Sequence, residues 1–198
     1  MMKASSILSP LLFIPLLFLS VAAPASGVSG GGGAGFEIPG MLHADMDELL
    51  DQARAGDNDA LLSLGVLYAQ GIRVKKDLPR AVGYMTRAAE QGSLSAQYTL
   101  ALLLKDGDSS INNKREAYRW MSEAAQHGHR KAMSMLGFMY QYGDGAPKDK
   151  LLAAMWLDLA YRRGGTEKPL MNIRQHMSAE DIARARTLAD HMSVSIKP

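Results

Sequence analysis

His127 and His129, separated by Gly128, come closest in this chain to a spacing that does chemistry, because imidazole nitrogens bind zinc, copper and nickel. A site needs a third ligand, and none stands nearby in sequence. Asp106, Asp108, Ser110 and Asn112 alternate as the oxygen ligands of a calcium loop do. That loop also requires glycine at its sixth position and a bidentate glutamate at its twelfth, where this chain has Ile111 and Ala117. Both patterns read as solvated loops, and no metal ligand is assigned.

Nucleophilic and hydrolytic chemistry lacks its signatures. There is no G-x-S-x-G elbow and no H-E-x-x-H helix, and the carboxylates are spread over helix faces rather than paired. Cysteine is absent, which removes disulfides, thiolate zinc sites, cysteine nucleophiles and the lipid-modified cysteine of a bacterial lipoprotein. Six glycines fall between Gly27 and Gly35, yet no GK[ST] follows and no strand precedes, so this stretch does not read as a phosphate loop. No catalytic residue and no cofactor is expected.

What remains is a framework that positions surfaces. At 198 residues the chain suffices for one folded unit, and 47% hydrophobic residues against 21% charged ones place it among globular proteins. Its 22 Lys and Arg and 20 Asp and Glu are interspersed rather than gathered into a basic stripe, which argues against nucleic acid as a partner.

The first 25 residues have the order of a secretory signal peptide. Lys3 precedes an apolar run of 13 residues from Ile7 to Leu19, and Ala23 and Ala25 stand at A-x-A spacing. The run is shorter than the ~20 residues of a membrane span, and Pro10 and Pro15 interrupt it. The expected mature chain starts near Ser26, has no stable membrane span, and is periplasmic or secreted. Residues 26–40, rich in glycine and without hydrophobic period, read as a flexible tether.

From Ala60 to Gly164 the chain superposes on itself at an offset of 36 residues without gaps. Ala60, Ala96 and Ala132 align, as do Leu64, Leu100 and Leu136, then Gly65, Ala101 and Gly137, then Gly71, Gly107 and Gly143. Asp77, Asn113 and Asp149 follow, with Ala81, Ala117 and Ala153, Ala88, Ala124 and Ala160, and Gly92, Gly128 and Gly164. Apolar residues at i, i+3, i+4 and i+7 predict two short helices per unit, helix A over about 58–70 and helix B over about 78–91 in the first. The Asp/Asn set suits helix N-caps, the last glycine set suits left-handed C-terminal turns, and small residues at position 65 and its equivalents suit a close helix crossing.

Repeats are therefore expected at 60–95, 96–131 and 132–168, with an N-terminal capping half-repeat at 41–59 and C-terminal capping helices and tail at 169–198. Three stacked hairpins share a core that one alone lacks. Within the caps, Asp45 to Ala55 has the register of a terminal helix B. Ser178 and Asp181 have N-cap spacing, and Ile182, Ala185, Leu188, Ala189 and Met192 share one helical face.

The unit from 60 to 95 resembles the Sel-one-like repeat, a relative of the tetratricopeptide repeat, through Ala60, Leu64, Gly65, Tyr68, Gly71, Val74, Asp77, Ala81, Ala88, Ala89 and Gly92. Trp120 and Trp156 stand where the first repeat has Tyr84, and the resemblance covers about residues 45–192. Ser110, where the pattern prefers valine, and Tyr161, where it prefers a second alanine, are departures. The resemblance implies an all-α, short right-handed α-solenoid whose helices A line a concave surface, and a non-catalytic adaptor or scaffold in the bacterial cell envelope. The alternative it implies is an envelope enzyme or cell-wall-binding protein akin to penicillin-binding relatives, whose cysteines this chain lacks.

A protein partner would be recognised by side chains that the repeat does not need for packing. Along the expected exposed face of helix A these are Ser63, Val66 and Gln70, then Thr99, Leu102 and Asp106, then Met135, Phe138 and Tyr142. They differ freely between repeats. The third set is apolar and aromatic, which suits a binding groove, whereas core packing against the capping helix is the competing reading for Phe138.

Overall fold

Asp77, Asn113 and Asp149 each turn a side-chain oxygen onto an amide hydrogen of the turn that follows. The amides of Arg80, Glu116 and Leu152 donate at 3.0, 3.1 and 3.0 Å. These caps satisfy donors that a helix start leaves without partners, so each fixes where a helix begins. A second set, Asp57, Ser93 and His129, recurs at the same interval and accepts from Ala60, Ala96 and Ala132.

The computed structural model describes residues 45–108 and 110–196. The expected leader and tether, and residues 41–44 of the N-terminal half-repeat, lie outside the described residues. Within these limits the chain forms helices α1 (Met46–Ala55), α2 (Asn58–Gln70), α3 (Leu78–Glu90), α4 (Leu94–Asp106), α5 (Lys114–Gln126), α6 (Arg130–Tyr142), α7 (Lys150–Arg162), α8 (Lys168–Arg174) and α9 (Ala179–Ser195), with no strand among the described residues. Helices α2, α4 and α6 are the A helices, and α3, α5 and α7 the B helices, within a residue of where periodicity predicts them in the first unit.

Each B helix ends in the same way. Gly92, Gly128 and Gly164 have φ of 86°, 95° and 82°, a region easy only for glycine. The next residue's amide reaches back to Ala88, Ala124 or Ala160 at 2.9–3.1 Å, closing a Schellman turn. The A helices are less uniform. Gly71 and Gly143 are left-handed at φ 72° and 75°, but Gly107, aligned with them in sequence, has φ −64°. Ile111 folds back over it, and an added Cβ there would lie 2.5 Å from Ile111 Cδ1.

Each helix packs on the next, α1 through α7 in order, and both α8 and α9 pack on α7. One hydrophobic cluster runs from Leu49 of α1 to Ile196 after α9, with Leu64, Leu100 and Leu136 wholly buried along its length. This continuous core across stacked hairpins is an all-α solenoid. Close approach of A to B helices explains the small residues at position 65 and its equivalents. A Cβ on Gly65 would stand 2.6 Å from Met85 Cγ, and one on Gly137 would stand 2.7 Å from Leu157 Cγ, while the equivalent Ala101 is fully buried.

The ends are closed by different devices. Asp45 caps α1, accepting from Asp47 N, and Leu49 and Ala53 are buried. Ser178 accepts from Asp181 N and donates to the Asp181 carboxylate, starting α9, whose Ala185 and Ala189 are buried with Leu188 and Met192 half-buried beside the core. Helix α8 adds Leu170 and Ile173 to a second cluster with Ala153, Ala154 and Leu157.

Candidate functional site

Helices α2 and α4 leave a groove of about 420 Å³ between them, and α3 contributes Leu78 and Met85 to its lining. Five of the nine residues expected to meet a partner line it: Val66 and Gln70 from α2, and Thr99, Leu102 and Asp106 from α4. Ala69 and Leu103 complete its apolar surface, and Lys76 and Asp108 bring charge from the loops. The Thr99 hydroxyl donates to Ser95 O at 2.7 Å, so its donor is already engaged within α4. Asp106 is exposed and paired with Lys105.

The other four expected residues line no part of this groove. Ser63 and Val66 were expected on an exposed face, yet each is only 7% exposed. The reason is that α2 is buried at every residue from Ser63 to Leu67, because it is covered by both α1 and α3. Val66 belongs to the groove wall, and Ser63 is a buried residue rather than a contact surface. On α6, Met135 is half-buried against the main core. Phe138 stacks on Tyr142 instead of entering either core cluster, with ring centroids 6.5 Å apart and planes 19° from parallel. Tyr142 is 69% exposed and Phe138 is half-buried.

The two histidines are helix caps. His127 closes α5, its Nδ1 lying 2.9 Å from Glu123 O, and His129 opens α6, its Nδ1 accepting from Ala132 N at 3.2 Å. Burial, then Lys131 and Arg130, hold the His129 imidazole below its ordinary range, and its ring lies 4.8 Å from that of Tyr98. In the second loop, Asp108 accepts from Ser110 N at 3.0 Å and Asn112 donates to Lys105 O at 2.9 Å, so both serve the loop's own turn. Among the described residues no group of three His, Asp or Glu side chains is placed to hold a metal ion. Tyr140 is pushed well above the usual phenol range by burial and by its 2.6 Å hydrogen bond to Tyr118, a pair that ties α6 to α5.

Several features escape the periodicity. Gln97 is buried where sister repeats carry Leu61 and Met133, and it donates to Ala89 O at 3.1 Å. A polar residue at an apolar register position was the available signal. Asp158, also buried, aligns with half-buried Ser122 and Thr86, and it is paired with Arg162 of α7 and Arg174 of α8. Tyr68 stacks on Tyr84 at 5.7 Å, and the Arg80 guanidinium carbon lies over the Tyr68 ring at 5.5 Å.

No helix of the described residues is long and apolar enough to cross a membrane. No curated protein matches the chain in sequence. A solved Sel1 repeat protein from Oxalobacter formigenes is similar at 28% identity over 66% of this chain and 97% of its own, with a TM-score of 0.56. A protective antigen of uropathogenic Escherichia coli with an SLR fold is similar at 22% identity, over 75% of this chain and 40% of its own, with a TM-score of 0.49. The model of the Sel1 repeat matches residues 58–93, 94–129 and 130–165, the three A and B helix pairs with their loops. Sel1 repeats are in general modules of protein–protein interaction. With more than half of its length in these three units, the chain belongs to the Sel1 repeat family.

Proposed function

We propose that this protein is a non-catalytic adaptor or scaffold of the bacterial cell envelope, which holds a protein partner on the concave face of its A helices. The observation that carries this reading is the α2–α4 groove. Gln70, Thr99 and Asp106, none of which belongs to the hydrophobic core, line one opening with Val66 and Leu102. Peptide segments dock into such grooves by laying apolar side chains along the floor. Half-buried Phe138 and exposed Tyr142 extend the same helix face on the third repeat, where aromatic anchors concentrate binding energy.

Envelope placement is supported by the order of charged, apolar and small residues in positions 1–25. Its check is N-terminal sequencing of the protein from the cell envelope, with Ser26 expected first.

The adaptor reading is tested by crosslinking and affinity capture of the full chain in its own envelope. Two variants run beside it, Gln70→Ala/Thr99→Ala/Asp106→Ala and Met135→Ala/Phe138→Ala/Tyr142→Ala. A protein captured by the parent and lost from either variant supports the reading and places the contact. Capture unchanged in both refutes the helix A face, and no protein captured by any chain refutes the adaptor.

A further inference from the structure

A second cavity, of about 530 Å³, opens beside the α2–α4 groove and shares Lys76 with it. Tyr68, Lys75, Lys76, Asp77 and Arg80 line it, so three cations face one carboxylate. Lys75, Lys76 and Arg80 are all exposed. The guanidinium is nevertheless held in place: Arg80 Nε lies 3.2 Å from Asp77 Oδ2, and its Cζ lies over the ring of Tyr68, which is stacked on Tyr84. An arginine fixed in this way loses little freedom when an anion arrives.

Two of these three charges are particular to the first repeat, whereas Lys76 recurs as Lys148 in the third. The positions of Lys75 and Arg80 are Ile111 and Glu116 in the second repeat and Pro147 and Leu152 in the third. The fold forms all three hairpins regardless, so the combination of three cations is an addition to the first repeat rather than part of its packing.

We propose that this pocket receives the carboxylate of an acidic side chain from the protein segment lying in the α2–α4 groove. The inference rests on the adaptor reading and adds the partner's chemistry, an aliphatic segment carrying Asp or Glu beside its apolar residues. Lys76 is the hinge between the two parts, since it borders both openings. Two features favour a carboxylate over a more highly charged group. Asp77 lies in the pocket wall and offsets part of the positive charge, and the apolar groove alongside demands a ligand that is only locally anionic. Asp108, near Lys76 at the groove edge, is occupied by Ser110 and adds to this discrimination.

The test is selection of short random peptides displayed on phage against the full chain and against Lys75→Gln/Lys76→Gln. These side chains are exposed and neither caps a helix, and unchanged near-ultraviolet circular dichroism verifies that the Tyr68–Tyr84 stack survives. The parent is expected to enrich aliphatic peptides with Asp or Glu, and an enriched peptide, labelled with fluorescein, is expected to bind the variant about tenfold more weakly. Parent binding is expected to weaken as salt rises. Aliphatic peptides enriched without acidic residues, or bound equally by both chains, overturn this inference and leave the adaptor reading standing. No enrichment by either chain overturns both. Vesicles of phosphatidylglycerol form a second arm: binding to them that the lysine change abolishes, with no acidic preference among peptides, assigns the pocket to a membrane surface and overturns the inference.

Discussion

Arg174 of α8 donates to Asp158 of α7 at 2.6 Å, a polar tie between the C-terminal cap and the last B helix beside the apolar packing of Leu170 and Ile173. Arg162 Nε approaches the other carboxylate oxygen at 2.6 Å, as an ion pair without hydrogen-bond geometry, and reaches Asp190 of α9 with Nη1 at 2.5 Å. Asp158 is only 5% exposed, so its charge depends on these partners.

Asp158→Ala leaves Arg174, itself largely enclosed, without its carboxylate and removes the polar tie between α8 and α7, so that only the apolar contact of Leu170 and Ile173 remains. Removing one partner of a buried pair costs about 3–5 kcal/mol. We expect a urea midpoint shifted down accordingly, whereas Arg184→Ala, which breaks only the exposed pair with Glu180, should move it by less than about 1 kcal/mol. Equal shifts for both variants would refute the clamp.

His129 gives the fold a dependence on acid. Its Nδ1 accepts from Ala132 N only while the imidazole is neutral, and its folded pKa lies below the ordinary 6.5. The unfolded chain therefore binds more protons in the window below 6.5. The stabilisation is complete above that value and is lost as pH falls from it through the depressed folded value. Ser93 caps the equivalent helix of the second repeat, so His129→Ser should retain the cap and remove this dependence. Denaturant titrations at pH 7 and 5 check it: a parent midpoint that does not fall with respect to His129→Ser defeats the assignment.

Helix crossings are sensitive to single methyl groups. Gly65→Leu drives a side chain into Met85 Cγ, already 2.6 Å from an ideal Cβ, and should cost about 1–3 kcal/mol. Gly83 lies in α3 with nothing within 4 Å of an ideal Cβ, so Gly83→Ala should stabilise by up to about 1 kcal/mol through helix propensity. Thermal unfolding of the two variants separates packing from propensity, and a destabilised Gly83→Ala would contradict it.

The repeat and most of its caps are legible from sequence because they answer local demands. Asp77 must accept amide hydrogens wherever helix B starts, and Gly92 must turn left-handed wherever it ends, so both recur at the period. Surfaces are less legible because exposure depends on how many neighbours a helix has. Val66 and Tyr142 were both assigned to exposed faces, but α2 is enclosed by α1 and α3 while the end of α6 is open. Gly107 departs from its alignment for a local reason: the match with Gly71 suggests a shared turn, and Ile111, four residues on where the first repeat has Lys75, folds back over it instead. Asp158 has no counterpart in the other repeats because only the last B helix meets a cap of two helices.

The Asp77 cap offers a last check on how independent the repeats are. Asp77→Ala removes the bond to Arg80 N and should cost about 1 kcal/mol. It also releases Arg80 from Asp77 Oδ2, so the guanidinium over Tyr68 loses one of its two supports. In a stacked array each repeat contacts only its neighbours, so a loss in the first hairpin should spread no further than α4 at first. Hydrogen exchange of Asp77→Ala should therefore show faster exchange in α2 and α3 and unchanged protection in α6 and α7. Uniform loss of protection would mean that the three repeats open as one unit, and that the continuous core from Leu49 to Ile196 outweighs nearest-neighbour coupling.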